Sequence, residues 1–224
     1  MNWKSYLGAA AGRWVTGSIL GLRLSGALTI PAVAADGGGA GVGFVPLTLG
    51  GGEVRATEVK AVGANGVDVS ARGGDIFGAA DSAGMAAQNL SGNFDLRVRV
   101  ESLTITDPYA TAGLVVRSSE DANATFAGAF AGSPSVGVFF RSRSGSGASA
   151  PMTAPRGGYP VNHPRTWLRM RRSGSELTGF GSMDGTNWTI LGASTISMPD
   201  SVTVGLAVSG RDTNAVALDR KSVV

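Results

Sequence analysis

The fold class is indicated most clearly by residues 93–101, which read NFDLRVRVE. Every second residue, from Phe94 to Val100, is apolar, and the residues between them are polar or charged. Because successive side chains of a β-strand point to opposite faces, this pattern predicts a strand with one buried and one hydrated face. The same alternation recurs in three further stretches, residues 136–143, 166–171 and 202–208. No long helical period interrupts them, so the sequence predicts an all-β protein.

Turn residues and composition give the size of the fold. Glycine-containing turns follow residues 90 and 172, and Asp184-Gly185 is a favoured hairpin pair. The chain has 224 residues, 43% of them hydrophobic and 16% charged, which suits one domain with a sizeable core. We therefore expect ten to twelve strands within residues 53–224, packed as two antiparallel sheets. Residues 145–164 lack strand patterning and are expected to form a surface loop.

The first part of the chain has the pattern of an export signal. Residues 1–34 carry three basic residues and no acidic one, and an apolar run at 24–33 leads into small residues. This pattern predicts a secretory signal peptide cleaved after Ala34, with a transit peptide as the alternative. The run is shorter than the roughly 20 residues that span a bilayer, so no membrane anchor is expected. Residues 35–52 predict a glycine-rich lead-in or a weak first strand, and the localisation expected is secreted or periplasmic.

Several kinds of chemistry are excluded by residue content. The chain has no cysteine, which excludes disulfides, thiolate metal sites and a cysteine nucleophile, and its single histidine, His163, falls in the predicted loop. A glycosidase needs two carboxyl groups about 5–9.5 Å apart. The nearest approach is Asp95 with Glu101, beside Arg97 and Arg99, which favours cross-strand ion pairs. We therefore expect no enzymatic activity.

Positive charge is concentrated in one segment. Between Asp121 and Glu176 there are seven arginines and no acidic residue. Alternate spacing puts some of these arginines on strand faces beside aromatic rings, an arrangement that suits a sugar, a uronate or a sulfate. The alternative is that the arginines pair with acidic residues of neighbouring strands. The residues predicted to bind a ligand are Arg141, Arg143, Trp167 and Arg169, with Tyr159 as a lid.

Two segments carry a family resemblance. They are WLRMRRSG at residues 167–174 and GFGSMDGTNW at 179–188, supported by shorter pieces at 74–78, 90–95, 112–117 and 204–208. The chain resembles the concanavalin A-like, laminin-G-like jelly-roll modules of bacterial secreted proteins. Its specific relatives there are a domain of unknown function labelled "regulation of enolase" and the C-terminal β-sandwich of some xylosidases. The resemblance implies two packed antiparallel sheets and non-catalytic carbohydrate association.

Calcium is the one metal that the sequence suggests. Hard cations take carboxylate and backbone oxygens from loops, and laminin-G-like folds often hold such an ion. Asp75 and Asp81 are the candidate ligands, with turn capping as the alternative role.

The function predicted from these observations is binding of a polysaccharide, a glycan or another extracellular surface component. A structural or adhesive module that contacts a protein partner is the alternative, and a divergent glycoside hydrolase is the third possibility. Nucleic acid is not an expected partner, because the basic segment contains arginine and no lysine.

Overall fold

The structure is a computed structural model that describes residues 43–50, 57–63, 65–212 and 216–223. The predicted signal peptide and residues 35–42 and 51–52 of the predicted lead-in lie outside the described residues. Within the described ranges, no helix has the length and apolar character needed to cross a membrane.

The described residues form strands joined by turns and loops. The strands are β1 (Val45–Leu49), β2 (Glu58–Val62), β3 (Gly66–Ala71), β4 (Ala83–Ser91), β5 (Phe94–Leu103), β6 (Thr111–Arg117), β7 (Phe126–Ala131), β8 (Val138–Arg143), β9 (Met152–Thr153), β10 (Thr166–Ser173), β11 (Glu176–Ser182), β12 (Thr189–Thr195), β13 (Ser201–Ser209) and β14 (Ala217–Val223).

These strands make two seven-stranded sheets packed face to face. The first sheet has the order β1-β4-β13-β6-β7-β8-β9, and the second has the order β12-β11-β10-β5-β14-β3-β2. Neighbouring strands are antiparallel throughout. The predicted all-β, two-sheet antiparallel sandwich is therefore confirmed.

The described residues after 53 contain thirteen strands, more than the ten to twelve expected, and most of the individually predicted strands differ from the structure only at their ends. The alternating stretch at 93–101 falls in β5, and its apolar residues from Phe94 to Val100 are 0–5% exposed. The strand predicted from residue 136 begins at Val138, because residues 133–137 form a turn in which the Val136 and Gly137 amides donate to the Ser133 carbonyl. The predicted loop at 145–164 contains the short strand β9. Strand β1 falls inside the stretch predicted as a lead-in or weak first strand.

The main core lies between the sheets. It combines the inward residues of β5, such as Leu96 and Val98, with those of β13 and β10, such as Leu206 and Met170. Each fully buried side chain of this kind stabilises the fold by about 1.5–3 kcal/mol relative to an exposed one. This cluster holds the two sheets in a fixed relation.

A second apolar cluster covers the outer face of the first sheet. It contains Phe130 and Phe139, whose rings stack at 5.4 Å, together with Met85, Leu49 and Ile76. Ile76 belongs to residues 72–82, here called the cover segment, which links β3 to β4 and lies over this face. Strands β6 and β7 are consequently buried on both faces.

Candidate functional site

A buried ionic network fixes the cover segment to the first sheet. Asp81 accepts from Arg143 at 2.6 Å (Nη2 to Oδ1) and 3.0 Å (Nη1 to Oδ2), and from Nη1 of Arg117. All three side chains have no exposed surface. Arg143 also donates to the carbonyls of Gly78 and Ala124 at 2.8 and 3.0 Å. Two arginine forks thus tie one loop carboxylate to β6 and β8.

This network corrects two of the sequence predictions. Arg143 was expected to contact a ligand, but its guanidinium is wholly enclosed and bonded to protein atoms. Asp81 was expected to bind calcium, but both its oxygens accept from guanidinium groups, which occupy the space that a cation needs. The sequence suggested a hydrated face for β8, and the cover segment buries that face instead.

A cleft of about 320 Å³ opens beside the cover segment on the outer side of the first sheet. Phe77 from the cover segment, Tyr109 from the β5–β6 loop and Met152 from β9 line it with side chains that are 49%, 58% and 51% exposed. Phe139 forms part of its floor. The cleft therefore presents apolar surface, including two aromatic rings, to solvent.

The polar groups of the cleft converge on Asp75. Its carboxylate lies 2.8 Å from Nη2 of Arg211 and 3.5 Å from Nη1 of Arg141. Arg141 also donates to the Ile76 carbonyl at 2.7 Å. The backbone of Arg211 has a φ of 53°, a left-handed conformation that non-glycine residues rarely adopt and that often marks a functional position.

The aromatic rings of the cleft lie against these guanidinium groups. The Arg141 guanidinium carbon is 5.0 Å from the centre of Phe77 and 5.2 Å from that of Phe139, and that of Arg211 is 5.2 Å from Tyr109. Burial raises the pKa of Asp75 above its usual 3.8, outweighing the opposite effect of Arg141 and Arg211. Burial also lowers the pKa of Arg141. A desolvated charge cluster beside exposed rings is typical of a ligand site.

Asp75 fits calcium poorly. Two guanidinium groups already neutralise it, and a divalent cation would have to displace them. The described ranges contain no group of three histidine, aspartate or glutamate side chains that could hold a metal ion. The arrangement fits an ion-paired carboxylate rather than the predicted metal ligand.

The remaining predicted ligand residues lie elsewhere. Trp167 and Arg169 are on the outer face of the second sheet, whereas Arg141 is on the outer face of the first. Arg169 donates to Asp95, with Nε to Oδ1 at 2.7 Å. Tyr159 packs against the main core, close to Gly181 of β11, and its carbonyl accepts from the Val138 amide. The structure thus does not bring the predicted set together, and Tyr159 is not a lid over Arg141.

The pairing of arginines with acidic neighbours, the alternative from the sequence, is confirmed in the second sheet. Besides Arg169 of β10 with Asp95 of β5, Arg171 of β10 lies 3.8 Å from Glu176 of β11. His163, expected in a solvated loop, is half-buried with Nδ1 3.2 Å from the Val100 carbonyl. Burial lowers its pKa below the usual 6.5.

Sequence reasoning missed four cleft residues: Phe77, Tyr109, Met152 and Arg211. Each lies outside the long alternating strands, so no periodicity marks it. The available signal was an aromatic residue in a loop, as at Tyr109 after Pro108, because loops carry many binding residues.

The fold is shared with solved structures, while no protein family and no curated protein matches the chain. A functionally unknown protein from Saccharomyces cerevisiae superposes with a TM-score of 0.57 at 19% identity, covering 73% of this chain and 87% of its own. A carbohydrate-binding module from Bacillus subtilis gives 0.46 at 18% identity over 69% and 84%. A β-glucanase from Bacillus licheniformis gives 0.42 at 7% identity over 74% and 81%.

The likeness to the Saccharomyces cerevisiae protein, whose TM-score is above 0.5, concerns the two-sheet antiparallel β-sandwich described above. At these identities the likeness concerns the fold alone. The resemblance to concanavalin A-like, laminin-G-like modules stays a prediction. The narrower resemblance to the domain labelled "regulation of enolase" stays a prediction as well.

Proposed function

We propose that this chain binds carbohydrate, without catalysis, in the cleft beside the cover segment. The observation that carries the proposal is the placement of two exposed rings, Phe77 and Tyr109, against guanidinium groups that share one carboxylate. The predicted signal peptide supports an extracellular polysaccharide as the ligand.

The chemistry of the cleft suits a sugar ring. An aromatic face offers a flat apolar surface to the C–H groups of a sugar, while fixed forks and a carboxylate donate to and accept from its hydroxyls. Arg141 and Arg211 are already held by Asp75, so ordering them on binding costs little entropy. The volume of about 320 Å³ lies within the usual range for small-ligand clefts.

The acidic content of the cleft supports binding rather than hydrolysis. Among the described residues that line it, Asp75 is the single acidic side chain. Glycosidic bond cleavage requires an acid and a second carboxylate or base placed on either side of the bond. Because Arg141 and Arg211 also pair with Asp75, we propose that the bound sugar is released without cleavage of a glycosidic bond.

The proposal is tested by affinity electrophoresis of the full chain in gels containing neutral glucans, fructans or xylans. Phe77→Ala and Tyr109→Ala should each weaken retention by at least about tenfold, which corresponds to about 1.4 kcal/mol of binding free energy. Ile190→Ala is the matched control, because Ile190 is 59% exposed and belongs to β12 of the second sheet.

Two results would contradict the proposal. Retention on no neutral polysaccharide would favour the protein-contacting alternative. Release of reducing sugar from a retained polymer would show that the cleft is catalytic.

A further inference from the structure

A second ordered surface lies on the outer face of the second sheet. Alternate residues of β5, β10 and β11, with Trp188 from the β11–β12 loop, form it. We call this surface the arginine–tryptophan array, and its members are Arg97, Arg99, Trp167, Arg169, Phe180 and Trp188.

Strand register arranges the array as a grid. Trp167 lies opposite Arg99, and Arg169 lies opposite Arg97 on one side and Phe180 on the other. Paired strands are about 4.8 Å apart and alternate residues along one strand about 6.7 Å apart. The array therefore spaces its guanidinium groups a few ångströms apart in two directions.

Aromatic rings hold these guanidinium groups in place. The Arg97 guanidinium carbon is 5.6 Å from the ring centre of Trp188, and that of Arg169 is 5.5 Å from the same ring. Arg99 stands 5.8 Å from Trp167. Stacking of this kind fixes planar forks without neutralising their charge.

The arginines of the array differ in how closely they pair with carboxylates. The Asp95 carboxylate accepts two hydrogen bonds from Arg169, and Glu101 accepts from Arg99 and from Ser222. For Arg97 the nearest carboxylate contact is 3.9 Å, from Nε to Asp95, and within the described part of the chain that Nε has no hydrogen-bond partner. Its side chain is nevertheless 31% exposed. Arg97 is thus an accessible and weakly paired cation.

We propose that the array is a separate binding surface for an acidic polysaccharide, with Arg97 as the central residue that takes its sulfate or carboxylate groups. Planar guanidinium forks match both groups through paired hydrogen bonds. This surface is on the other sheet from the cleft and does not depend on it.

The arrangement of the indoles favours a polysaccharide over nucleic acid. Single-stranded nucleic acid binds by stacking its bases on free aromatic faces. In the array, arginines stack on Trp188 and Trp167, and Gly185 lies so close to the Trp167 ring that an added Cβ would be 3.0 Å away. Charge rather than base stacking is therefore the main attraction that the surface offers.

The test measures retention of the full chain on immobilised dextran sulfate and polygalacturonate, with neutral dextran and a single-stranded oligonucleotide as comparison ligands. The sulfated and carboxylated polymers distinguish the two anionic groups. Arg97→Gln should lower retention on the preferred acidic polymer at least tenfold. Arg156→Gln, which removes the same charge from an exposed loop, should have little effect.

Three results would overturn the proposal: retention on neither acidic polymer, equal losses for Arg97→Gln and Arg156→Gln, or equal binding of the oligonucleotide. Arg97→Lys serves as the second variant if Arg97→Gln does not fold. It keeps the positive charge but removes the planar fork, so we expect a loss of retention between those of the wild-type chain and Arg97→Gln. Tyr109→Ala should leave this binding unchanged, so failure here is distinguishable from failure of the cleft proposal.

Discussion

At the scale of single residues, Asp81 connects two distant strands to one loop. Its carboxylate is enclosed with the guanidinium groups of Arg117 and Arg143, and each of these three side chains has no exposed surface. Removing the carboxylate would leave two buried cations without a charged partner, which is far more costly than losing a surface ion pair.

We therefore expect Asp81→Asn to lower the free energy of unfolding by about 3–5 kcal/mol, measured by urea denaturation. Glu58→Gln is the matched control, since Glu58 and Lys60 pair at 3.3 Å with side chains 65% and 73% exposed. The control should change stability by less than about 1 kcal/mol. If Asp81→Asn lowered the free energy of unfolding as little as the control does, the result would contradict the ionic network described for Asp81.

The raised pKa of Asp75 gives the cleft a pH dependence. As the pH falls through this value, which lies above 3.8, the carboxylate gains a proton and its pairing with Arg141 and Arg211 weakens. Affinity for a neutral polysaccharide should therefore fall on acidification, beginning at a higher pH than an ordinary aspartate would give. Isothermal titration calorimetry at several pH values measures it, and Asp75→Asn should bind more weakly with a flat profile. An unchanged profile in that variant would exclude Asp75 as the titrating group.

The raised pKa of Asp75 affects the stability of the fold in the direction opposite to its effect on ligand affinity. A carboxyl group whose pKa is raised on folding stabilises the folded chain below its unfolded pKa, and this contribution disappears as the pH rises through the folded value. Binding and stability should therefore respond to the protonation of Asp75 in opposite directions.

At the scale of elements, the alternating strands could be predicted and the cover segment could not. Alternation at 93–101 reports the local exposure of β5, and the structure confirms it. The hydrated face expected for β8 is covered by residues more than 60 positions earlier in the chain, which no local period records. Arg143 was therefore assigned to a ligand although it is an internal structural residue.

The expected hairpin at Asp184-Gly185 shows the same limit at a turn. The two residues do lie in a turn, with Gly185 at a φ of 72°. However, β11 ends at Ser182 and β12 begins at Thr189, so the connection is longer than a two-residue hairpin. The Thr186 and Asn187 amides donate to the Asp184 carboxylate, and these hydrogen bonds stabilise the longer loop.

Strand β7 depends on a glycine beneath a ring. A Cβ at Gly128 would lie 2.8 Å from the Phe130 ring and 3.1 Å from Val115, both buried. Gly128→Ala should therefore overpack the second cluster and destabilise the fold by about 1–3 kcal/mol in urea denaturation.

Gly145→Ala serves as the control for that substitution, since its Cβ would meet its nearest neighbour, the Ala148 Cβ, at 3.8 Å. It should be neutral or slightly stabilising. Equal stability of the two variants would argue against the packing seen around Phe130.

At the scale of the whole molecule, sheet topology separates residues that the sequence places close together. Arg141 and Arg169 are 28 positions apart and both lie in the acid-free arginine segment, yet β8 and β10 belong to different sheets. One predicted site is therefore divided between two opposite outer surfaces. Strand order depends on long-range pairing, which composition and charge counts do not reveal.

The ion pairs of both candidate calcium ligands lead to a prediction for the whole protein. Because arginines neutralise Asp75 and Asp81, the thermal unfolding midpoint in millimolar calcium should agree with that in chelator to within about 1 °C. Differential scanning calorimetry measures this. A rise of several degrees in the unfolding midpoint with calcium, and none with magnesium, would contradict this prediction. It would show that calcium displaces the arginine side chains from these carboxylates.

The buried carboxylate of Asp81 also sets an order of events during folding. Its partners come from β6 and β8, so the cover segment can dock only after these strands have found their places in the first sheet. Closing such long-range contacts is slow compared with forming adjacent hairpins. We therefore expect the wall of the cleft to form after β6 and β8 have paired within the first sheet. The Asp81 and Ser82 amides, which donate to the Ala122 and Asp75 carbonyls, should gain protection from hydrogen exchange later than those strands.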